Sequence, residues 1–368
     1  MDERAGEALA RGLERLQQDH KSGAHELTGI ALAIFREVIS QTHEIDEAFW
    51  RTARMAAWHL IKNGRESMGA ATLNALLSIL VELDEILHQP APGTGQEEKR
   101  DRILSTIDSH IANRKANTAR LKDAFISYIQ STFLATQPKR DRITMLTLSA
   151  SSTTRNSILD AFAALDIPTL ELRILESRPL FEGATLASSI YSRFQSQFDS
   201  TDKKLDIKIY TDAAAALAAQ NIEIVLLGAD RICSSKGVSN KTGSLPVVLS
   251  ARHVTPSAKI LVLSQLEKVV GDDGILEDKV EDNDPEEVFS AWRNERVEGR
   301  QVLEDSLTSP KTETDNSATI QVKDIYFEWV PLTLVDAFVS DEGLLDETTI
   351  KNKSQQLGKL ASKYFDDL

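Results

Sequence analysis

The chain has 368 residues, 41% hydrophobic and 27% charged, and carries a formal net charge of -14 at pH 7. That length allows two domains, or one large domain with an appendage. The acidic balance excludes a broad grip on a nucleic-acid backbone, which needs clustered lysine and arginine, and the single cysteine, Cys233, excludes an intrachain disulfide framework.

From Ala5 to about Leu134 the pattern is helical. Leu27, Ile30, Ala31, Ile34, Phe35, Val38 and Ile39 recur at i, i+3, i+4 and i+7, one apolar stripe on one helix. Asp19–Ala24 interrupts before it. A helix follows from about Ile45 to Lys62, and another from about Ser67 to Leu87 carries Leu73, Leu76, Leu77, Leu80 and Leu83. Pro90–Gly95 is a loop, because its prolines and glycines cannot continue a helix. A long helix from about Glu97 to Thr132 completes a bundle of four or five helices, assigned to a domain of residues 1–139. Its six histidines, and His253 beyond it, lack paired metal-ligand spacing, so no metal and no cofactor is expected. Met1–Glu7 lacks a signal peptide's apolar core, and no stretch approaches the roughly 18 apolar residues of a membrane span. The expectation is a cytoplasmic protein with neither a membrane nor a nucleic-acid partner.

After Lys139-Arg140-Asp141 apolar runs of strand length alternate with helical stretches. Strands are expected at Ile143–Leu148, Leu170–Leu175, Leu205–Tyr210, Ile222–Leu227 and Ile260–Leu263, and helices at about 153–165, 184–197, 212–219 and 244–253. This alternation predicts an α/β fold in which a Rossmann-like, doubly wound parallel sheet (residues 140–368) follows the helical bundle. No Gly-x-Gly-x-x-Gly follows the first strand, so a dinucleotide fingerprint is absent.

Gly228-Ala229-Asp230-Arg231 comes just past the fourth strand, at the carboxyl edge where open α/β sheets bind ligands. Ser239-Asn240-Lys241-Thr242-Gly243-Ser244 then opens a helix, whose N–H groups and Lys241 would face an anion. An acid and an anion binder sharing one loop suit sugar-phosphate chemistry or sensing; the plainer alternative is that Asp230 caps a turn and Asn240-Lys241 is a solvated helix start. From Gly271 to Phe289 the chain is dense in acids, and residues 271–316 form an acidic insertion, either a partner-binding arm or a solvated loop. Ile325–Pro331 and Leu332–Val339 return to order, and Gln355–Phe365 is a closing helix.

Four collinear blocks, Gly228–Arg231 with Asn240–Ser244, Ser177–Gly183, Thr211–Ala214, and Pro331–Phe338 with Asp341–Gly343, resemble a known family. It contains the alpha, beta and delta regulatory subunits of eukaryotic translation initiation factor 2B, ribose-1,5-bisphosphate isomerase and methylthioribose-1-phosphate isomerase. Asp19–Leu27 resembles the start of the regulatory subunits and of the ribose-bisphosphate isomerases. Arg65-Glu66-Ser67-Met68 resembles the segment whose arginine contacts a substrate phosphate. The resemblance implies a helical domain on a Rossmann-like one, dimers as the basic unit, and ligand or phosphate contacts from Gly23, Ala24, Arg65, Arg178, Asn240, Lys241 and Lys268.

One departure matters most. The family's isomerases use a cysteine after the first strand together with the aspartate of the Gly-Ala-Asp block; here Ser149 stands at the cysteine position, while Asp230 is kept. A serine hydroxyl, with a pKa far above that of a thiol, is a poor acid–base partner for moving a proton or hydride between C1 and C2 of a sugar phosphate. Two functions are therefore carried forward. One is a regulatory, initiation factor 2B subunit-like protein with a sugar-phosphate or nucleotide pocket, forming a homodimer or a hetero-oligomer with related subunits. The other is an aldose–ketose isomerase of a ribose 1-phosphate derivative, with Asp230 as acid/base and Ser149 in the cysteine's place.

Overall fold

The computed structural model describes residues 3–19, 23–42, 44–64, 69–88, 95–135, 139–271, 276, 283–293, 297–308 and 320–368. The helical region consists of α1 (Glu3–Gln18), α2 (Ala24–Gln41), α3 (Glu47–Lys62), α4 (Gly69–His88) and α5 (Gln96–Ile129). The first half of helix α4 is enclosed on nearly every side, with Ala70, Leu73, Leu76, Leu77, Ile79 and Leu80 buried, while Glu82, Glu85 and His88 give its second half an exposed polar face. Helix α5, 34 residues and about 50 Å long, joins the two halves of the molecule. Ile103 and Ile107 pack with the bundle, while Leu121, Phe125 and Ile129 pack under the sheet.

The sheet region begins with β1 (Arg142–Thr147), α6 (Ser152–Ala164), β2 (Thr169–Leu175), α7 (Glu182–Gln197), β3 (Lys204–Tyr210), the short α8 (Ala215–Ala218) and β4 (Ile224–Leu227). It continues with β5 (Arg231–Cys233), β6 (Gly237–Lys241), α9 (Ser244–Val254), β7 (Lys259–Leu263) and β8 (Val269–Val270). The remaining elements are α10 (Pro285–Arg293), α11 (Arg300–Thr308), β9 (Phe327–Val330), β10 (Ala337–Ser340), β11 (Gly343–Leu345) and α12 (Glu347–Phe365). The main sheet has the order β11-β10-β7-β4-β1-β2-β3. Side-chain alternation along its strands feeds two cores. Leu146, Val225, Leu227, Ile260 and Val262 join the core that runs through the bundle to α12. Met145, Ile224, Leu226, Leu261 and Leu263 join the core on the other face.

The expected class, a helical bundle followed by a mostly parallel α/β sheet, holds. Three corrections follow from tertiary context. The last strand, β11, pairs antiparallel with β10, so the sheet is mixed at that edge. Helix α12 starts eight residues before the sequence reading, because Asp346 caps it by accepting from the Thr349 N–H. The stretch read as one loop from Gly228 to Ser244 instead builds a second, four-stranded sheet of order β8-β5-β6-β9. Its β5–β6 hairpin turns through Ser234–Lys236 and closes on Gly237 at φ 114°, a left-handed position that glycine adopts without strain. These strands carry arginine, serine, asparagine and lysine, so no apolar alternation announced them. In the acidic insertion α10 and α11 are helical and Phe289 is fully buried; residues 272–275, 277–282, 294–296 and 309–319 lie outside the described residues.

Glu171, on β2, accepts from Lys208 and Arg173 at 2.8 and 2.9 Å and pairs with Arg142. Burial pushes its carboxyl up, but the hydrogen bonds and charges of these three cations outweigh it and hold the pKa at about 2 against an ordinary 4.5. A depressed carboxyl stabilises the fold above its ordinary pKa and loses that contribution as pH falls through the folded value. Between pH 4.5 and about 2 the urea midpoint of the native chain is therefore expected to fall more steeply than that of Glu171→Gln. Parallel curves would refute this.

Candidate functional site

Strands β1, β2, β3, β4 and β7 run parallel, so their carboxyl ends share one edge, where α/β sheets form their ligand crevice. Among the described residues, the non-glycine residues with left-handed backbones are Ser149 (φ 69°), Ser177 (φ 59°), Phe181 (φ 55°) and Asn221 (φ 55°). The first three lie in the exits of β1 and β2. Such conformations cost energy and persist where the surroundings enforce them. Here the enforcer is Asp212, at the exit of β3, which accepts from the Ser177 and Arg178 N–H groups at 2.9 and 2.8 Å. The Ser177 hydroxyl in turn accepts from the Ser149 N–H at 2.8 Å. Ser149 is thus positioned through its backbone by a chain of bonds reaching β3.

A second set of contacts converges on the start of α6. A Cβ built on Gly228 would lie 3.6 Å from the Asn240 Oδ1 and 3.7 Å from the Thr154 Oγ1, so the β4 exit, α6 and β6 meet there. A Cβ on Gly23 would lie 3.9 Å from the Ser152 Oγ, which places the start of α2, with Gly23 and Ala24, against the start of α6. Asn240 is fixed by donating to the Ser244 hydroxyl at 2.8 Å, and that hydroxyl donates to the Lys241 carbonyl at 2.6 Å. Lys268 is buried in the β7 exit. Its charge is felt by His25, the second residue of α2, which burial and then Arg114 hold below the ordinary histidine pKa. Arg114 donates to Glu267 and, at 3.2 Å, to His25 Nδ1; burial pushes the Glu267 carboxyl up against the pull of Arg114. The starts of α2 and α6 and the Asn240 amide therefore meet, with Lys268 within electrostatic reach of His25 on α2, an arrangement whose dipoles and donors suit an anion.

Lys241 is not free to join them. Neighbouring residues on a strand face opposite ways, and Lys241 Nζ lies 2.7 Å from Glu182 Oε2, with the lysine side chain only 2% exposed. The Tyr326 ring stacks on the same ammonium, 4.3 Å from its centroid. The start of α9, expected to face a bound anion, is taken by Glu328, whose Oε1 accepts from the Gly243 and Leu245 N–H groups at 2.6 and 3.0 Å. Where an open cradle was expected at residues 240–244, the chain's own carboxylates, Glu182 and Glu328, stand. Tyr326 is itself tied to α10, its hydroxyl donating to Glu287, and burial followed by that carboxylate pushes the phenol far above its ordinary pKa.

The remaining predicted residues divide. Asp230 sits at the β4 exit, where its N–H donates to the Ser239 carbonyl at 2.8 Å and Arg231 Nε stands 3.6 Å from its carboxylate. Arg178 stays with its own loop, donating to Glu176 at 2.8 Å and lying over the Phe181 ring at 5.1 Å. Arg65 lies outside the described residues. Among the described residues, no cluster of three or more histidine, cysteine, aspartate or glutamate side chains could hold a metal ion, and no helix is long and apolar enough to cross a membrane. Sequence reasoning did not single out Asp212, Glu182, Tyr326 or Glu328. The first two lay inside quoted blocks as a helix-start acid and a loop acid; nothing local marked Glu328, which reaches α9 from β9.

A model described as the initiation factor 2 subunit family matches residues 21–347. The chain belongs to that family. A curated relative, methylthioribose-1-phosphate isomerase of Pseudomonas syringae pv. tomato, is 24% identical over 193 residues, which is 50% of this chain and 44% of that protein. The match thus spans less than half of the curated relative's length. Among solved structures, the tetrameric eIF2B-beta2-delta2 complex from C. thermophilum has a chain similar at TM-score 0.61 and 11% identity, over 98% of this chain and 95% of that one. The 5-methylthioribose 1-phosphate isomerase of Pyrococcus horikoshii OT3 is similar at TM-score 0.56 and 17% identity, over 96% and 88%. At such identities the structures speak for the initiation factor 2 subunit fold.

Proposed function

We propose that this protein is a regulatory, subunit-like member of the initiation factor 2 subunit family that holds a sugar phosphate or nucleotide at its strand tips without converting it. It works in the cytoplasm, as a homodimer or assembled with related chains of the family. The observations that carry this reading are the closure of Lys241 by Glu182 and, at the position where the family's isomerases carry a cysteine, the serine Ser149. Aldose–ketose conversion requires an acid and a base poised at C1 and C2. Among the described residues no hydrogen bond joins the Ser149 hydroxyl to a histidine or a carboxylate that could activate it. The binding half of the site is better kept. Gly23 and Ala24 at the start of α2, the start of α6, Asn240 and Lys268 would hold the ligand's phosphate, and the family resemblance adds Arg65 and Arg178 as further contacts. A fold similar to that of a hetero-oligomeric initiation-factor complex supports assembly as the output.

The isomerase reading is favoured by the name of the curated relative and by Asp230, which stands at the β4 tip as an acid/base with Ser149 in the cysteine's place. The two are separated by incubating the purified chain with methylthioribose 1-phosphate and with ribose 1,5-bisphosphate and assaying for ketose product. The expected result is no product above the buffer control, with Asp230→Asn indistinguishable from the native chain. Turnover that disappears in Asp230→Asn would establish an isomerase instead.

A further inference from the structure

We propose that Glu182 and Glu328 are specificity-determining residues of the strand-tip site. They occupy, from within the chain, the anion positions at Lys241 and at the start of α9, so the site accepts a ligand with one phosphate and rejects a sugar bisphosphate. This rests on the ligand-holding function proposed above.

Three groups define the occupied positions: the Lys241 ammonium and the Gly243 and Leu245 N–H groups, which open an 11-residue helix. Glu328 satisfies both N–H groups. Glu182 lies 2.7 Å from the ammonium, yet neither Lys241 Nζ nor Glu182 Oε2 completes a hydrogen bond of good geometry, although both atoms are buried. The pair is held chiefly by charge at this close separation. Tyr326 closes the third side with its ring over the ammonium. Since Asn240 and Lys241 face opposite ways along β6, a ligand phosphate at the starts of α2 and α6 reaches Asn240 without meeting these carboxylates. A second phosphate directed toward Lys241 meets Glu182, and one directed toward the start of α9 meets Glu328. Like charges forced together in a partly desolvated site discriminate strongly, and a built-in repulsive group is how binding sites refuse a near relative of their ligand.

The test uses the full chain with ribose 5-phosphate and ribose 1,5-bisphosphate at constant ionic strength, with dissociation constants from calorimetry. The native chain is expected to bind the monophosphate at least about tenfold more tightly, although the bisphosphate carries more charge. Glu328→Gln keeps an amide oxygen able to accept from Gly243 and Leu245, and should gain about tenfold for the bisphosphate alone. Glu182→Gln serves as a second variant with the same expected direction, and the native preference needs no variant at all. Equal or preferential binding of the bisphosphate by the native chain would overturn the proposal while leaving the ligand-holding function intact, as would a Glu328→Gln effect common to both ligands. Failure of both ligands to bind the native chain and both variants would remove the sugar-phosphate-holding function, and the proposal with it.

Discussion

Glu182→Ala is expected to lower the unfolding free energy by about 3 kcal/mol, toward the lower end of what breaking one half of a buried ion pair costs. The reason is the asymmetry of the pair: Lys241 is 2% exposed while Glu182 is 30% exposed. Removing the carboxylate leaves a buried charge without its counter-ion, and the Tyr326 face, 4.3 Å away, offsets only part of the desolvation. Water entering the space left by Glu182 keeps the loss from reaching the upper end of the range. The double variant Lys241→Met with Glu182→Leu removes both charges and keeps the volume, so it should lie within about 1 kcal/mol of the native chain. Urea midpoints with unchanged slopes would measure both. If Glu182→Ala cost less than about 1 kcal/mol, the ammonium would be hydrated and the closed cradle described above would not exist in solution.

Gly183→Ala should be as damaging, for a steric reason. A Cβ at residue 183 would stand 1.8 Å from the Leu175 carbonyl oxygen and 2.9 Å from its carbon. Those atoms belong to the end of β2, where Leu175 is paired with Tyr210 of β3, and the Gly183 N–H donates to the neighbouring Glu176 carbonyl at 3.1 Å. No side chain swings aside to relieve the clash. The first turn of α7 must lift, carrying Glu182 with it, at a cost at or above the upper end of the roughly 1–3 kcal/mol typical of overpacking. Gly6→Ala is the internal control. Nothing lies within 4 Å of a Cβ there, and alanine in a helix should stabilise by about 0.4–1 kcal/mol. A small loss at Gly183, comparable in size to the Gly6 effect, would mean that the β2–α7 junction is looser than described.

Legibility in the sequence followed a physical divide. The stripe along α2 and the leucines of α4 show the helical period, because burial there depends on one repeating face. The central strands β1, β4 and β7 are buried along almost their full length, so they appear as continuous apolar runs. Strands β5 and β6 have no such signature. They are short and polar, and what makes them strands is pairing with β8 and β9 from much later in the chain. The acid at 230 and the amide at 240 were legible because each follows a recognisable strand or precedes a recognisable helix. That Asn240 faces α6 while Lys241 faces Glu182 follows from the second sheet and could not be read from their adjacency.

By itself the sequence determined the helical bundle, the alternating α/β order, the carboxyl edge as the place of the candidate site, and the serine at the position where the family's isomerases carry cysteine. These are local quantities: periodicity, strand-length apolar runs and residue identity. Only the tertiary structure decided that the lysine and the helix start of the 240–244 segment are already neutralised, since Glu182 is 59 residues and Glu328 87 residues distant in sequence from Lys241. Charge pairing between such distant residues is fixed by how two sheets and a helix pack, and composition carries no record of it.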